Sequence, residues 1–398
     1  MAVVTLVKKR LRRDILRHPW VYQNSVQSIE GEVEDGGVVE VLGPDGSFVA
    51  WGLINRASRL YVRMYSFQRD EQDPAEVFGR RLDQAIALRR DVLRLPERAN
   101  AWRVVHSEGD GIPGLIVDKY DDIAVISCSS LGTFKVLDSL VPRLAEGLGV
   151  SSVFEIGAAK GLRGKEGLPP GRGALHGPEP SADGFEVTVD GLRFHMQISG
   201  GQKTGLFLDQ RDNVRRFAEL CRGESVLDAC TYAGAFALNA LRAGAKDVLA
   251  FDISRKALAN TERNAELNGL SENLSLQKGD LFDVFRQLRE EGRSFSRIVF
   301  DPPAFAARKK DIPRARKAYT EAHSLALAVL EPGGILLTAS CSHHINAETL
   351  ESSLHEASRR QSRTLQVLER FGAGPDHPQQ LFCPEGRYLN GLIVRDIA

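Results

Sequence analysis

The sequence predicts an α/β protein: a mostly parallel, doubly wound sheet in the C-terminal half, preceded by a small β-domain and a central α/β domain. Three observations carry the prediction. From residue 225 onward, short β-branched runs alternate with helical patterns, the rhythm of parallel βαβ units. The start of the chain instead holds β-rich runs broken by Gly, Pro and Asp turn signals. A dense Gly/Pro stretch and a hairpin signal separate the two styles. The chain has 398 residues, room for two or three domains with cores of their own, and the expected bounds are 1–72, 73–190 and 191–398.

The elements follow in order. Val38–Leu42 and Ser47–Trp51 flank Pro44-Asp45-Gly46, a hairpin turn signal, and the run Leu60–Tyr65 ends the first module. Asp73 is a good N-cap, Pro74 suits the first helical position and Glu76 the capping box, so a helix should run to about residue 94. Strands are expected at 102–106, 115–119, 123–128 and 152–156, with a helix at 133–147. Residues 157–180 contain eleven glycines and prolines and predict a long mobile loop without regular elements. Asp190-Gly191 between two β-runs predicts a hairpin over 185–198 with a type I′ turn. The final domain should hold strands at 225–228, 248–252, 273–277, 297–301 and 334–340. Helices are expected near 235–243, 254–268, 281–290, 314–330 and 347–360.

Composition narrows the classes. Charged residues make up 26%, which argues against wholesale disorder. No apolar run approaches the roughly 18–20 residues of a membrane span, so no membrane partner is expected. The basic N-terminus is followed by Asp14 and His18-Pro19 and not by an apolar segment, unlike a secretory signal. Five cysteines without paired spacing suggest reduced thiols in a cytoplasm, and CxxC zinc spacing is absent. Cys341, His343 and His344 do not suggest a metal, because adjacent histidines at a strand end face opposite ways. The 52 basic and 52 acidic residues balance, yet charge is sorted locally. Residues 8–17 hold six basic side chains against Asp14 alone, and 50–69 hold Arg56, Arg59, Arg63 and Arg69 with no acid. Residues 308–317 hold Arg308, Lys309, Lys310, Arg314, Arg316 and Lys317 against Asp311. Three such clusters point to a polyanion.

Ligands of a doubly wound sheet bind at the carboxyl ends of its strands, near the switch point. Here those ends read Asp228-Ala229-Cys230-Thr231-Tyr232-Ala233-Gly234, then Asp252-Ile253-Ser254, Gly279-Asp280-Leu281, Asp301-Pro302-Pro303-Ala304-Phe305 and Ser340-Cys341-Ser342. Acids at four successive switch-side positions are an unusual series. Asp252 lies 24 residues after Asp228, where an acid that binds a ribose diol is expected. GxGxxG is missing, which disfavours a dinucleotide. A ligand with a ribose, an adenine and a cationic centre but no phosphate fits better, and S-adenosylmethionine is that ligand.

At these residues the chain resembles the class I S-adenosylmethionine-dependent 23S ribosomal RNA (cytosine-C5) methyltransferases with an N-terminal PUA module. The resemblance covers essentially the whole chain through Gly31–Tyr65, His106–Asp118, Gln202–Arg211, Asp301–Phe305, Cys341 and Cys383–Gly391. It implies a PUA-like RNA-binding domain, a central α/β domain and a Rossmann-like methyltransferase domain. The implied partner is 23S ribosomal RNA or a large-subunit precursor, with the oligomeric state open and a homodimer among the options. With the acid series, it assigns cofactor contacts to Asp209, Gln210, Asp228, Tyr232, Gly234, Asp252, Ile253, Asp280 and Leu281. The first motif is poor in glycine, a departure from the general class I pattern that the resembled family shares.

Carbon 5 of a pyrimidine is a poor nucleophile, and a thiolate added to carbon 6 activates it. Cys341, at a strand end beside the cofactor positions, is the expected nucleophile. Asp301 would hydrogen-bond the base, its direction set by Pro302-Pro303. Phe305 would stack on a flipped base, and Arg308, Lys309 and Lys310 would hold phosphates. A second cysteine beside the Asp-Pro-Pro loop, found in another group of RNA cytosine methyltransferases, is missing, and Glu385 is the candidate base for the C5 proton. Two alternatives stand: a guanine-nitrogen methyltransferase, which needs no thiol, and a non-catalytic RNA-binding assembly factor. Four retained carboxylates speak against the second.

Overall fold

The computed structural model describes residues 2–8, 17–157, 160–198, 206–306, 308–342 and 344–397. The cluster residues Lys9, Arg10, Arg12 and Arg13, the motif residues 202–205, and His343 lie outside the described residues. The chain forms two compact units. The first comprises Met1–Val187, Met196–Leu208 and Pro375–Gly386, and the second Thr188–His195, Asp209–Gly374 and Arg387–Ala398.

The first unit opens with a six-stranded sheet of β1 (Ala2–Leu6), β2 (Trp20–Tyr22), β3 (Val26–Glu30), β4 (Val38–Leu42), β5 (Phe48–Ile54) and β6 (Leu60–Ser66), in the order β2-β6-β5-β4-β1-β3. The β4–β5 hairpin forms at Pro44-Asp45-Gly46 as its turn chemistry dictates. Asp45 accepts from the Ser47 backbone N–H (3.1 Å) and hydroxyl (2.6 Å), and Gly46 supplies a φ of +79°. Helix α1 (Pro74–Ala87) starts where Asp73 accepts from the Ala75 N–H at 2.9 Å. It gives way to a π-helical turn over Leu88–Val92. That turn carries the buried Arg89, whose guanidinium makes two hydrogen bonds to Asp110 (2.6 and 2.9 Å).

A second sheet follows: β7 (Ala101–His106), β8 (Leu115–Tyr120), β9 (Ile123–Cys128), β10 (Ser152–Glu155) and β11 (Gly173–His176), in the order β11-β10-β9-β8-β7. Helix α2 (Leu131–Leu148) joins β9 to the parallel β10. Val77, Phe78 and Leu82 of α1 and Leu137 and Leu140 of α2 share a core with Val105, Val117 and Ile126 of this sheet. The hairpin of β12 (Phe185–Val189) and β13 (Leu192–Met196) turns through Asp190 (φ 47°) and Gly191 (φ 81°), both left-handed as a type I′ turn requires.

Two expectations fail here. Residues 157–180 are not structureless, because helix α3 (Lys160–Glu166) and strand β11 form within them. Buried Glu166 accepts from the Ser58 hydroxyl (2.5 Å) and the Asn55 amide (3.2 Å) and pairs with buried Arg63 (3.1 Å). The glycines serve close approach. A Cβ on Gly177 would stand 1.8 Å from the Ser151 carbonyl oxygen, and one on Gly157 2.7 Å from the Gly171 nitrogen. Three of the four arginines of 50–69 also are not free of acid partners. Arg56 pairs with Asp35, Arg63 with Glu166 and Arg69 with Glu40, acids that the fold brings from outside the run.

The second unit alternates helix and strand: α4 (Arg211–Ala218), β14 (Ser225–Ala229), α5 (Ala235–Arg242), β15 (Asp247–Asp252), α6 (Arg255–Asn268), β16 (Leu274–Lys278), α7 (Leu281–Glu290), β17 (Phe295–Phe300), α8 (Ile312–Ala328), β18 (Leu330–Ser340) and α9 (Ala347–Arg360). The edge strands β19 (Leu365–Phe371) and β20 (Asn390–Asp396) complete it, in the order β16-β15-β14-β17-β18-β20-β19. Strands β16 to β18 are parallel, and β20 and β19 form an antiparallel edge pair that the strand–helix rhythm does not announce. Successive residues feed cores on opposite faces, Leu227, Ile298 and Phe300 on one and Val226, Val299 and Leu337 on the other. The chain order reverses between β14 and β17, which places the switch point there. Among the described residues no helix is long and apolar enough to cross a membrane.

Candidate active site

Ala229 of β14 aligns with Phe251 of β15 and Phe300 of β17, and Phe300 aligns with Thr338 of β18. The loops after these strands therefore leave the sheet side by side. After β14, the N–H groups of Cys230 and Thr231 both donate to the Phe251 carbonyl (3.0 and 3.1 Å). Cys230 (φ 65°) and Tyr232 (φ 54°) adopt left-handed backbone, which costs energy for residues with a Cβ and collects at ligand sites. The strain is held in place. Thr261 donates to the Tyr232 carbonyl (3.0 Å) and Asn264 to the Ala233 carbonyl (3.0 Å). A Cβ on Gly234 (φ +81°) would stand 2.7 Å from the Thr261 methyl. Asp228, expected to face the ligand, is buried and accepts from the Thr231 hydroxyl (2.6 Å) and the Ala237 N–H at the start of α5 (3.0 Å). It shapes the loop. Burial, with the nearby Asp252 charge, pushes its carboxyl up to about 6.

Asp252 ends β15 half-buried and accepts from the N–H groups of Tyr232 (3.1 Å) and Ser254 (2.8 Å). A carboxylate offers about four lone-pair sites, so capacity for a ligand remains. Asp280 is exposed and caps α7 through the Phe282 N–H (2.9 Å). Ile253 is 66% exposed and Tyr232 40%, whereas the Leu281 side chain is buried in the core. The Cys230 thiol ties these groups together: burial raises its pKa, and Asp252, Asp301, Asp228 and Asp280 all raise it further.

Asp301 follows β17 and Cys341 follows β18. The hydroxyl of Tyr319, a buried α8 residue, donates to Ser340 Oγ (2.9 Å); burial raises its pKa, and Cys341 and Asp301 raise it further. Phe305 packs on the Tyr319 ring at 4.7 Å and on Phe282 at 6.5 Å, leaving it half-buried. Gln210, expected to touch the cofactor, instead donates from Nε2 to Asp301 (2.9 Å). Its other amide atom accepts from Asn213 Nδ2 (2.7 Å), which also donates to the Gly372 carbonyl (3.0 Å), so the orientation of Gln210 is set from behind. Asp209 accepts from the Tyr388 hydroxyl (2.6 Å), joining two separate sequence motifs. Its second oxygen is buried with no hydrogen-bond partner among the described residues.

Arg308 and Lys310 are exposed, as are Arg314, Arg316 and Lys317, and Lys309 stands with Lys310 in the 3-10 turn before α8. Glu385 belongs to the first unit, where its carboxylate lies 2.9 Å from His18 Nε2. Tyr319 and Asn213 escaped sequence reading, and Tyr388 entered it only within the motif Cys383–Gly391, without a role of its own. A tyrosine on a helix or in a loop carries no local mark of the partner it will meet.

A parallel sheet with an antiparallel edge pair, a strained loop after its first strand and carboxylates at successive strand ends define a Rossmann-like methyltransferase. Residues 174–386 match the family model described as S-adenosylmethionine-dependent methyltransferase, and residues 4–67 match that of a PUA-like domain. The chain belongs to the S-adenosylmethionine-dependent methyltransferases, and S-adenosylmethionine is its cofactor. It is similar to a protein of Shewanella denitrificans named ribosomal RNA large subunit methyltransferase I, 35% identical over 95% of each chain. It is 36% identical to the same-named protein of Aliivibrio fischeri, over 97% of this chain and 96% of that one. A solved chain from Streptococcus mutans shares the fold (TM-score 0.83, 17% identity, 99% and 100% coverage). So does a methyltransferase solved with SAH (TM-score 0.84, 18% identity, 99% and 100% coverage).

Proposed function

We propose that this enzyme methylates carbon 5 of a cytosine in large-subunit ribosomal RNA. The relatives' shared name supports the RNA class. The position of Cys341 directly after Ser340 at the end of β18, on the strand paired with the one that leads into Asp301, supports the cytosine chemistry.

The chain's residues fit the cofactor. The unpartnered Asp209 oxygen suits an ammonium group, the half-buried Asp252 carboxylate suits a ribose diol, and exposed Asp280 suits an adenine amino group. The strained Cys230–Gly234 loop, Tyr232 within it, and the exposed Ile253 give the remaining wall. When bound, the cofactor supplies an electrophilic methyl group. Asp301, held by Gln210, orients the base through its polar edge. The exposed part of Phe305 stacks on a base flipped out of its helix, and the basic run 308–317 holds the flanking phosphates. The thiolate of Cys341 adds to carbon 6, and the electron pair of the 5,6 double bond makes carbon 5 nucleophilic. Loss of the C5 proton afterwards restores the double bond and expels the sulfur.

Cys341→Ala should abolish methyl transfer to ribosomal RNA and leave cofactor affinity within about twofold, because the thiol acts on the base. RNA containing 5-fluorocytosine should trap a covalent adduct with the wild type, since fluorine does not leave as a proton does. Robust methylation by the alanine variant would overturn the covalent route and favour attack by a guanine nitrogen.

A further inference from the structure

The C-terminal motif does more than supply Tyr388. Its neighbouring stretch Pro375–Gly386 belongs to the first unit, although β19 before it and β20 after it belong to the second. The stretch is rooted in that unit's core. Asp376 is buried, accepts from the Arg103 N–H (3.2 Å) and lies 3.0 Å from His377 Nδ1. Arg89 donates to the Asp376 carbonyl at 2.5 Å. A Cβ on Gly109 would stand 2.0 Å from the Pro378 carbonyl oxygen, so the motif His106–Asp118 leaves room for this stretch and for little else. Cys383 is buried at the far end, and Glu385 meets His18.

Between these anchors the chain presents Leu381, 96% exposed, and Phe382, 43% exposed. The Arg17 guanidinium lies 5.8 Å from the Phe382 ring centre, and His18 meets Trp20 edge-on at 5.7 Å. A firmly held turn that offers two large apolar side chains to solvent marks an interaction surface. Its charge names the partner. Arg17 ends the run of six basic residues over 8–17, opposed by Asp14 alone. Cations interleaved with aromatic rings are what single-stranded nucleic acid binds: bases stack on the rings and phosphates meet the cations.

We infer that Phe382 and Leu381, with Arg17 beside them, form a stacking platform for unpaired bases of the RNA substrate. The inference rests on the ribosomal RNA reading. His18, Cys383 and Glu385 have ligating atoms within 4.8 Å of one another and could by type hold a metal. The Trp20 backbone N–H donates to His18 Nδ1 (3.1 Å), however, which leaves Nε2 to carry the ring proton toward Glu385. The trio therefore serves as the platform's anchor.

The test uses the full chain, an oligocytidine of about twelve nucleotides and a transcript of large-subunit ribosomal RNA, with affinity read by fluorescence anisotropy. Phe382→Ala combined with Leu381→Ser should weaken both RNAs by roughly 5- to 100-fold while the salt slope stays unchanged, since stacking releases no counterions. Phe382→Trp should restore affinity. Arg17→Ala should instead lower the log–log salt slope by about 0.7. Tryptophan fluorescence unchanged from wild type, Trp20, Trp51 and Trp102 all lying in the first unit, establishes that the double variant and the Arg17→Ala variant fold. Wild-type affinity in the double variant would overturn the platform and leave the ribosomal RNA reading standing. Loss of self-association without loss of RNA affinity would assign the surface to a second copy and overturn it equally. A wild type that binds neither RNA would sink the ribosomal RNA reading itself.

Discussion

Gln210 illustrates how single residues acquire roles here. Its Nε2 donates to Asp301 and its Oε1 accepts from Asn213. In the proposed reaction it therefore acts on the base through the carboxylate it holds, as a positioning residue. A hydrogen bond to a charged group contributes about 1.5–3 kcal/mol, so Gln210→Ala should lower kcat roughly 10- to 100-fold with cofactor affinity unchanged. Gln210→Glu should set two carboxylates against each other and move the acid limb of the pH–rate profile upward. A variant whose only defect is weaker cofactor binding would return Gln210 to the direct cofactor contact that the sequence suggested.

At the scale of elements, the glycine- and proline-rich stretch is the instructive case. α3 ends in Glu166, which Ser58, Asn55 and Arg63 hold in a buried pocket, and β11 closes on β10. Glu166→Ala leaves the Arg63 guanidinium buried without its carboxylate, and losses of about 3–5 kcal/mol accompany such cuts. The variant should become protease-sensitive within 157–180, with the bulk of the second unit intact. Gly161 provides the control. It lies in α3 with open space where a Cβ would go, so Gly161→Ala should be neutral or stabilising by up to about 1 kcal/mol. Equal protease resistance in wild type and Glu166→Ala would mean that Glu166 does not hold the stretch.

The whole molecule responds to pH through groups that burial has shifted in opposite senses. His323 is fully buried between Thr338 and Ser353, and burial lowers its pKa to about 3 from the usual 6.5. Its share of stability is complete above pH 6.5 and fades as pH falls towards 3. Asp228 runs the other way: with a carboxyl raised from 3.8 to about 6, its share is complete below 3.8 and gone as pH rises through 6. Between pH 3.8 and 6 the two oppose each other in the second unit. Asp228→Asn keeps an acceptor oxygen for Thr231 and Ala237 but removes one arm of this balance. The variant should lose stability on acidification more steeply than wild type, by up to about 1.4 kcal/mol per pH unit. All three tryptophans (Trp20, Trp51 and Trp102) lie in the first unit, so hydrogen exchange in β14 and β18 is the suitable readout. Parallel pH curves for the two proteins would refute the opposed pair.

The strand and helix pattern of the second unit, its caps and the aspartates at its strand ends were legible because hydrophobic period, capping and turn chemistry act over a few residues. Right-handed crossovers then carry those strand ends to one side of the sheet, so Asp252, Asp280, Asp301 and Cys341 could be placed at strand ends in advance. The direction each polar side chain faces could not. Asp228 and Asp252 look alike in sequence, yet packing buries one in its loop and leaves the other half-exposed. The bonds that fix these side chains span long separations: 91 residues from Gln210 to Asp301, 108 from Ser58 to Glu166, 179 from Asp209 to Tyr388 and 367 from His18 to Glu385. Local sequence determined which residues could do chemistry. Tertiary packing chose their partners, because a buried polar group must take whatever donor or acceptor the fold brings within reach, and that neighbour leaves no mark in the nearby chain.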